Sequence, residues 1–190
     1  MTAPKFDAEA AARMTIEVLG GREKAFALID KEFGEISARW HQDVVAIGRK
    51  LRAHLYVEHY LTEFLEKANP RLGPIDHARL SFAQKLNLLG SEPRLQQVVP
   101  GIRRLNQIRN RLAHNLDARV TDDDAQVFLS DGYFNAMRIE GARPRTPSTD
   151  PMDILEAFAQ HASTRLKHEF SVLGNAFSEA YDKLHPKEAS

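Results

Sequence analysis

Apolar residues recur along this chain at steps of three and four, the spacing of one face of an α-helix. No stretch shows the alternation expected of a strand. The last third is clearest: Leu155, Phe158, Ala162, Leu166, Phe170, Leu173, Phe177, Tyr181 and Leu184 form one face. They predict one long helix over residues 151–184. Asp150 supplies its N-cap, Pro151 suits its first position, and Pro186 marks its end.

A second stripe, from about Gly34 to Lys67, holds Phe33, Ile36, Trp40, Val44, Ile47, Leu51 and Leu55. Phe26 and Ile29 continue its phase upstream. A helix unbroken from Arg22 is too long for the domain, so a break near Gly34 is expected. A shorter helix, about Asp7 to Leu19, precedes the Gly20-Gly21 turn. Asn69-Pro70 and Gly73-Pro74 close the long element. A helix over about Asp76 to Leu89 follows, with Leu80, Ala83, Leu86 and Leu89 inward and Gly90 at its end. Ser91-Glu92-Pro93 opens the next helix, which carries Leu95, Val98, Ile102, Leu105, Ile108 and Leu112. Pro100 is expected to kink it or split it. Residues 117–149 read as irregular, apart from a short helix over Asp122–Ser130 capped by Thr121 and its aspartates. The short connections favour an antiparallel bundle.

Composition narrows the class. The chain has 190 residues, 43% hydrophobic and 27% charged, as in a soluble globular protein. No apolar run approaches the ~18 residues of a membrane span, and no basic start precedes an apolar stretch. Cysteine is absent, which excludes disulfides, thiolate metal sites and a cysteine nucleophile. A cytoplasmic location fits this composition. Formal net charge is zero, against a globally basic nucleic-acid binder. Charge is nonetheless uneven. Between Pro93 and Leu116 lie Arg94, Arg103, Arg104, Arg109 and Arg111 with no lysine and no acid; Asp117 and Asp122–Asp124 follow. Such a cluster either holds phosphate, which guanidinium matches in a two-pronged geometry, or forms a solvated helix face.

Within that segment, Leu105, Ile108, Leu112 and Leu116 share a side with Ile102, and Arg109 falls within their arc. His114 is nearly opposite, about 140° round after one full turn. A core-side arginine needs a partner or a stem that carries its head to water. Arg109-Asn110-(Arg-Leu-Ala)-His114 resembles the Arg-polar-x-x-x-His signature of the HEPN superfamily, with Asn110 in the polar slot. The likeness extends over roughly Ala46 to Asp124. It implies an all-α, HEPN-like antiparallel bundle of about five to seven helices with a long C-terminal helix. On that frame residues 1–190 form one domain: N-terminal helices 6–33, a core about 34–124, an irregular insertion 117–149 and a C-terminal helix 151–184.

Active members resemble metal-independent endoribonucleases, and this implies roles here. His114 would move a proton and Arg109 would stabilise charge on the phosphoryl oxygens. Asn110 would orient either. Alternatively, His114 is a histidine at a helix C-terminus that answers the helix dipole. The resemblance further implies a homodimer whose two motifs face one cleft, RNA as candidate substrate, and an antitoxin or regulatory protein as candidate partner. No cofactor, metal or membrane is implied. The alternative function is a non-catalytic dimeric interaction or regulatory module.

His54 and Glu58 are four apart on the stripe of Leu51 and Leu55. They are candidates for supporting the motif helix, or for a simple satisfied pair. Arg104 and Arg111 are candidates for supporting phosphate contact. His161 and His168 fall off the apolar face of the last helix and read as surface residues. No metal-site spacing, P-loop, GxGxxG or GxSxG occurs.

Overall fold

The computed structural model describes residues 7–41, 43–90, 92 and 95–184. The helix opening at Ser91 and Pro93, the cluster's Arg94 and the helix end at Pro186 lie outside the described residues, as do the side chains of Phe177, Tyr181 and Leu184. Every regular element among the described residues is helical, and nine are α-helices. The count exceeds the five to seven expected because the C-terminal stripe is interrupted and one helix was not foreseen. No described helix is long and apolar enough to cross a membrane.

The chain groups into two compact units, Met1–Val44 and Val45–Ser190. In the first, α1 (Ala8–Val18) starts where the Asp7 carboxylate accepts the Glu9 and Ala10 N–H groups at 3.1 and 3.0 Å. It stops at Gly20 and Gly21, whose φ of +81° and +109° suit glycine alone. α2 (Arg22–Trp40) runs straight through Gly34. The break falls instead at His41, whose ring Nδ1 lies 2.8 Å from the Ser37 carbonyl oxygen. The same carbonyl also accepts the His41 backbone N–H at 2.9 Å, the last intrahelical bond of α2. The apolar stripe of α2 is exposed at Phe26, Phe33, Ile36 and Trp40.

The second unit holds the core. α3 (Val44–Ala68) buries Ala53, His54, Val57, Leu61, Phe64 and Leu65. Leu51 and Leu55, expected to share the inner stripe with His54, are exposed. Two single 3₁₀ turns, Pro70–Leu72 and Ile75–Ala78, lead to α4 (Phe82–Leu88). Ser81 and Gln84 form a capping box there, which starts α4 later than Asp76. Phe82 and Lys85 are buried on α4 beside Leu86, whereas Ala83 is exposed.

α5 (Val99–His114) is one helix. Pro100 neither kinks nor splits it, because it occupies the first turn, where no intrahelical N–H is needed. α6 (Asp122–Leu129) follows a Thr121–Asp124 capping box. α7 (Gly132–Ala142), capped by Asp131, occupies part of the stretch expected to be irregular.

α8 (Pro151–His168) begins as expected, with Asp150 accepting the Met152 and Asp153 N–H groups. The predicted C-terminal helix is broken after His168; α9 (Val172–Leu184) restarts where the Gly174 N–H donates to Ser171 Oγ at 2.9 Å. A Cβ on Gly174 would stand 1.9 Å from the His168 carbonyl oxygen, so this reversal depends on glycine.

The core forms where Val57, Leu61 and Leu65 of α3, Ile102, Leu105 and Ile108 of α5, Phe128 of α6 and Leu155, Phe158 and Leu166 of α8 are all buried. Phe128 stacks on Phe158 at 4.8 Å and Phe134 meets Phe158 edge-on at 5.4 Å. At Gly101 a Cβ would come within 2.2 Å of Phe158 Cζ, so glycine sets how closely α5 approaches α8. Outside this core, Arg49 of α3 reaches Asp153 and Glu156 of α8, both at 2.6 Å, and Arg52 joins Glu156.

Candidate functional site: the faces of α5

α5 carries the motif, and its sides face different surroundings. Ile102, Leu105, Ile108 and Leu112 point into the core. Next to them Arg104 and Arg111 turn to α6, where both pair with Asp124. The Arg104 contact is 3.4 Å, and Asp124 is buried. The same carboxylate accepts the Thr121 N–H at 2.9 Å, so it caps α6 while tying it to α5. The two arginines named as phosphate candidates thus have an internal counter-ion.

On the other flank Asn106 turns to α3. Its Oδ1 lies 3.3 Å from His54 Nε2. His54 is buried, its ring 4.4 Å from Phe82. Its Nδ1 is 3.8 Å from Glu58, an ion-pair distance too long for a hydrogen bond. Glu58 is instead bonded by Lys85 of α4 at 3.0 Å. Burial holds the His54 pKa below its ordinary 6.5. The Asn106 bond and Glu58 oppose this; the Arg109 and Lys85 charges add to it. His54 therefore links α3 to the motif helix, and the charge of Arg109 is felt there. Asn106 and Lys85 were not singled out from sequence. On the helical wheel Asn106 falls on the Arg109 flank, a signal available before the structure.

The remaining side faces solvent. From Arg103, at about 100° per residue, Gln107, Asn110 and His114 fall within about 40° of it, roughly 16 Å along the axis from first to last. All four are exposed. Beside the N-terminal half of this line, Gln96, Arg103, Arg104, Gln107 and Val127 help line a cavity of about 440 Å³.

Arg109 is exposed rather than held in the core arc. Its Nη1 donates to Asn110 Oδ1 at 3.4 Å. The helix is continuous from Arg109 to His114, so neither a kink nor an earlier end brings the two to one face.

The end of α5 is fixed locally. Asn115 leaves the helix with extended backbone, and its Oδ1 accepts the Asp117 N–H at 3.0 Å. The buried Lys50 of α3 donates to the Ala118 carbonyl at 2.6 Å. His114 is thus the last residue of a helix whose exit is held on both sides.

Such an arrangement can offer a histidine and an amide to a bound polyanion along one line, with an arginine on the adjacent flank. Among the described residues no group of three or more His, Asp or Glu is placed to hold a metal ion. No family model, no curated protein and no solved structure matches the chain.

Proposed function

We propose that the chain is a HEPN-type protein directed at RNA, a metal-independent endoribonuclease with His114, Asn110 and Arg109 as its reacting and binding groups. The observation that carries this reading is the exposed line Arg103–Gln107–Asn110–His114 on α5, ending at a histidine with a fixed helix exit. In RNA the 2′-hydroxyl attacks the adjacent phosphorus, forming one P–O bond as the P–O bond to the 5′ oxygen breaks. His114 takes the hydroxyl proton or gives one to the leaving oxygen. Arg109 offsets the charge gathering on the non-bridging oxygens, and Asn110 orients the phosphate. Arg103 extends the same line towards neighbouring phosphates.

Arg109 and His114 stand about 140° apart on one straight helix. The reading therefore brings Arg109 of one copy to His114 of a second, across a two-fold axis. The test is incubation of a mixed RNA pool with wild type, Arg109→Ala and His114→Ala. Cleavage by wild type with loss in both variants supports the reading. Equal cleavage by all three, or none by wild type over a range of pH and salt, removes it.

A second reading, a non-catalytic interaction module, is favoured by one observation: α2 displays Phe33, Ile36 and Trp40 at 69%, 64% and 82% exposure. Exposed apolar surface of this kind suits a protein partner. A stable complex that forms without any RNA affinity at low salt distinguishes it.

A further inference from the structure

His161, expected on the surface, is enclosed. Its ring on α8 stands 5.3 Å from Phe134, 5.8 Å from Tyr133 and 6.4 Å from Phe158. Its side chain is only 13% exposed, and that of Asp131 only 2%. Nε2 is 3.6 Å from Asp131 Oδ2. Neither of these two sealed atoms has a hydrogen-bond partner. The other Asp131 oxygen is occupied, accepting the Phe134 N–H at 3.0 Å as the cap of α7.

The pair borders open space. His161 lines a cavity of about 430 Å³ between α7, α8 and α9, together with Tyr133, Met137 and Leu173 and with the charged or titratable Arg165, His168 and Glu169. That volume lies in the range of small-molecule sites, and its wall sets polar and charged groups beside the apolar surface of Tyr133, Met137 and Leu173. The chemistry of the wall follows from Asp131. A buried carboxylate facing Nε2 favours the tautomer that carries its proton there. In the neutral ring the other nitrogen, Nδ1, is then a hydrogen-bond acceptor. Nδ1 is not among the sealed, unpartnered atoms, and no described residue bonds it. Tyr133, whose ring has the Arg165 guanidinium 5.6 Å from its centroid, offers with Met137 and Leu173 a half-open aromatic and aliphatic surface for a flat ring.

We infer that this cavity is a binding site for a small aromatic molecule carrying one N–H or O–H donor, with the donor on His161 Nδ1 and the ring between Tyr133, Met137 and Leu173. The site is separate from the faces of α5 and does not depend on any RNA activity. Asp131 acts as a positioning residue that sets the tautomer of His161.

The probes are indole, phenol, and their counterparts without a donor, N-methylindole and toluene. Each is titrated into the full chain by ligand-observed NMR, with thermal denaturation in parallel. The expected result is binding of indole and phenol at least about tenfold tighter than their counterparts, the scale of one hydrogen bond to a buried acceptor. His161→Phe keeps an aromatic ring but removes the acceptor; it should bind toluene as well as phenol. Asp131→Asn retains the helix cap and should weaken the preference for donors, since its amide no longer demands one tautomer. Absence of binding by all four probes at millimolar concentration overturns the inference. So does equal binding of indole and N-methylindole, or a donor preference that survives in His161→Phe.

Discussion

His54 Nε2 on α3 faces Asn106 Oδ1 on α5 at 3.3 Å, one helical turn before the motif begins. Burial holds this histidine below its ordinary pKa of 6.5, so the unfolded chain binds its proton more tightly than the native one. The native state then has its full margin above the unfolded value and loses it as pH falls through that value. Urea midpoints at about pH 7.5 and about pH 5.5 should show wild type weakened by acid. His54→Gln should be weakened less over the same interval. His161, also lowered chiefly by burial, adds a background of the same sign that the difference between the proteins removes. Identical acid losses in the two proteins would mean that His54 is not the group responsible.

Asp124 is the internal counter-ion of Arg104 and Arg111 and the cap of α6. Both arginines keep access to water, their side chains being 31% and 40% exposed. Removing the carboxylate therefore leaves no stranded charge. Asp124→Ala should destabilise by about 1–3 kcal/mol, through the lost cap and the lost charge-assisted bonds. Chemical denaturation measures it; a change within about 0.5 kcal/mol contradicts the bridging role.

Gly101 allows α5 to meet Phe158 of α8. A methyl there must displace a buried ring in contact with Phe128 and Phe134. Gly101→Ala gains helix propensity but should still lose about 1–3 kcal/mol overall. A stabilised Gly101→Ala protein would mean that the ring yields freely and that the packing is looser than described.

If Arg109 and His114 meet across a two-fold axis, mixing two inactive proteins has a defined outcome. An Arg109→Ala/His114→Ala heterodimer holds one complete site and one doubly defective site. Equal amounts allowed to exchange subunits should recover roughly a quarter of wild-type RNA cleavage. No recovery, with subunit exchange verified by mass spectrometry, places both residues of a site in one chain.

The elements readable in advance were those with local markers. Thr121 and Asp150 announced α6 and α8 because a capping side chain acts on amides two or three residues away. The interruptions were less legible. Gly34 looked like a breaker, yet the helix ends at His41, whose ring and backbone N–H both bond back to the Ser37 carbonyl, a contact that spacing does not announce. The reversal after His168 was hidden because the apolar spacing of Phe170 and Leu173 continues the phase of α8. α7 was missed because it begins on Gly132 and carries Gly141, both poor helix formers. At the candidate site the wheel placed His114 on the outer side, where it is exposed. It put Arg109 in the apolar arc because a wheel of one helix omits its neighbours. In the fold Arg109 is exposed. The pairing of Arg104 and Arg111 with Asp124 depended on how α6 folds back, which spacing within α5 does not specify.

The solvent line of α5 bears on how such a protein can change over time. Arg103, Gln107, Asn110 and His114 stand clear of the buried stripe, and exposed substitutions of this kind usually shift folding free energy by less than about 0.5 kcal/mol. On the proposed reading, folding and chemistry are written on different sides of the same sixteen-residue helix. A lineage of such proteins could then lose or regain reactivity through single replacements along that line while keeping its scaffold.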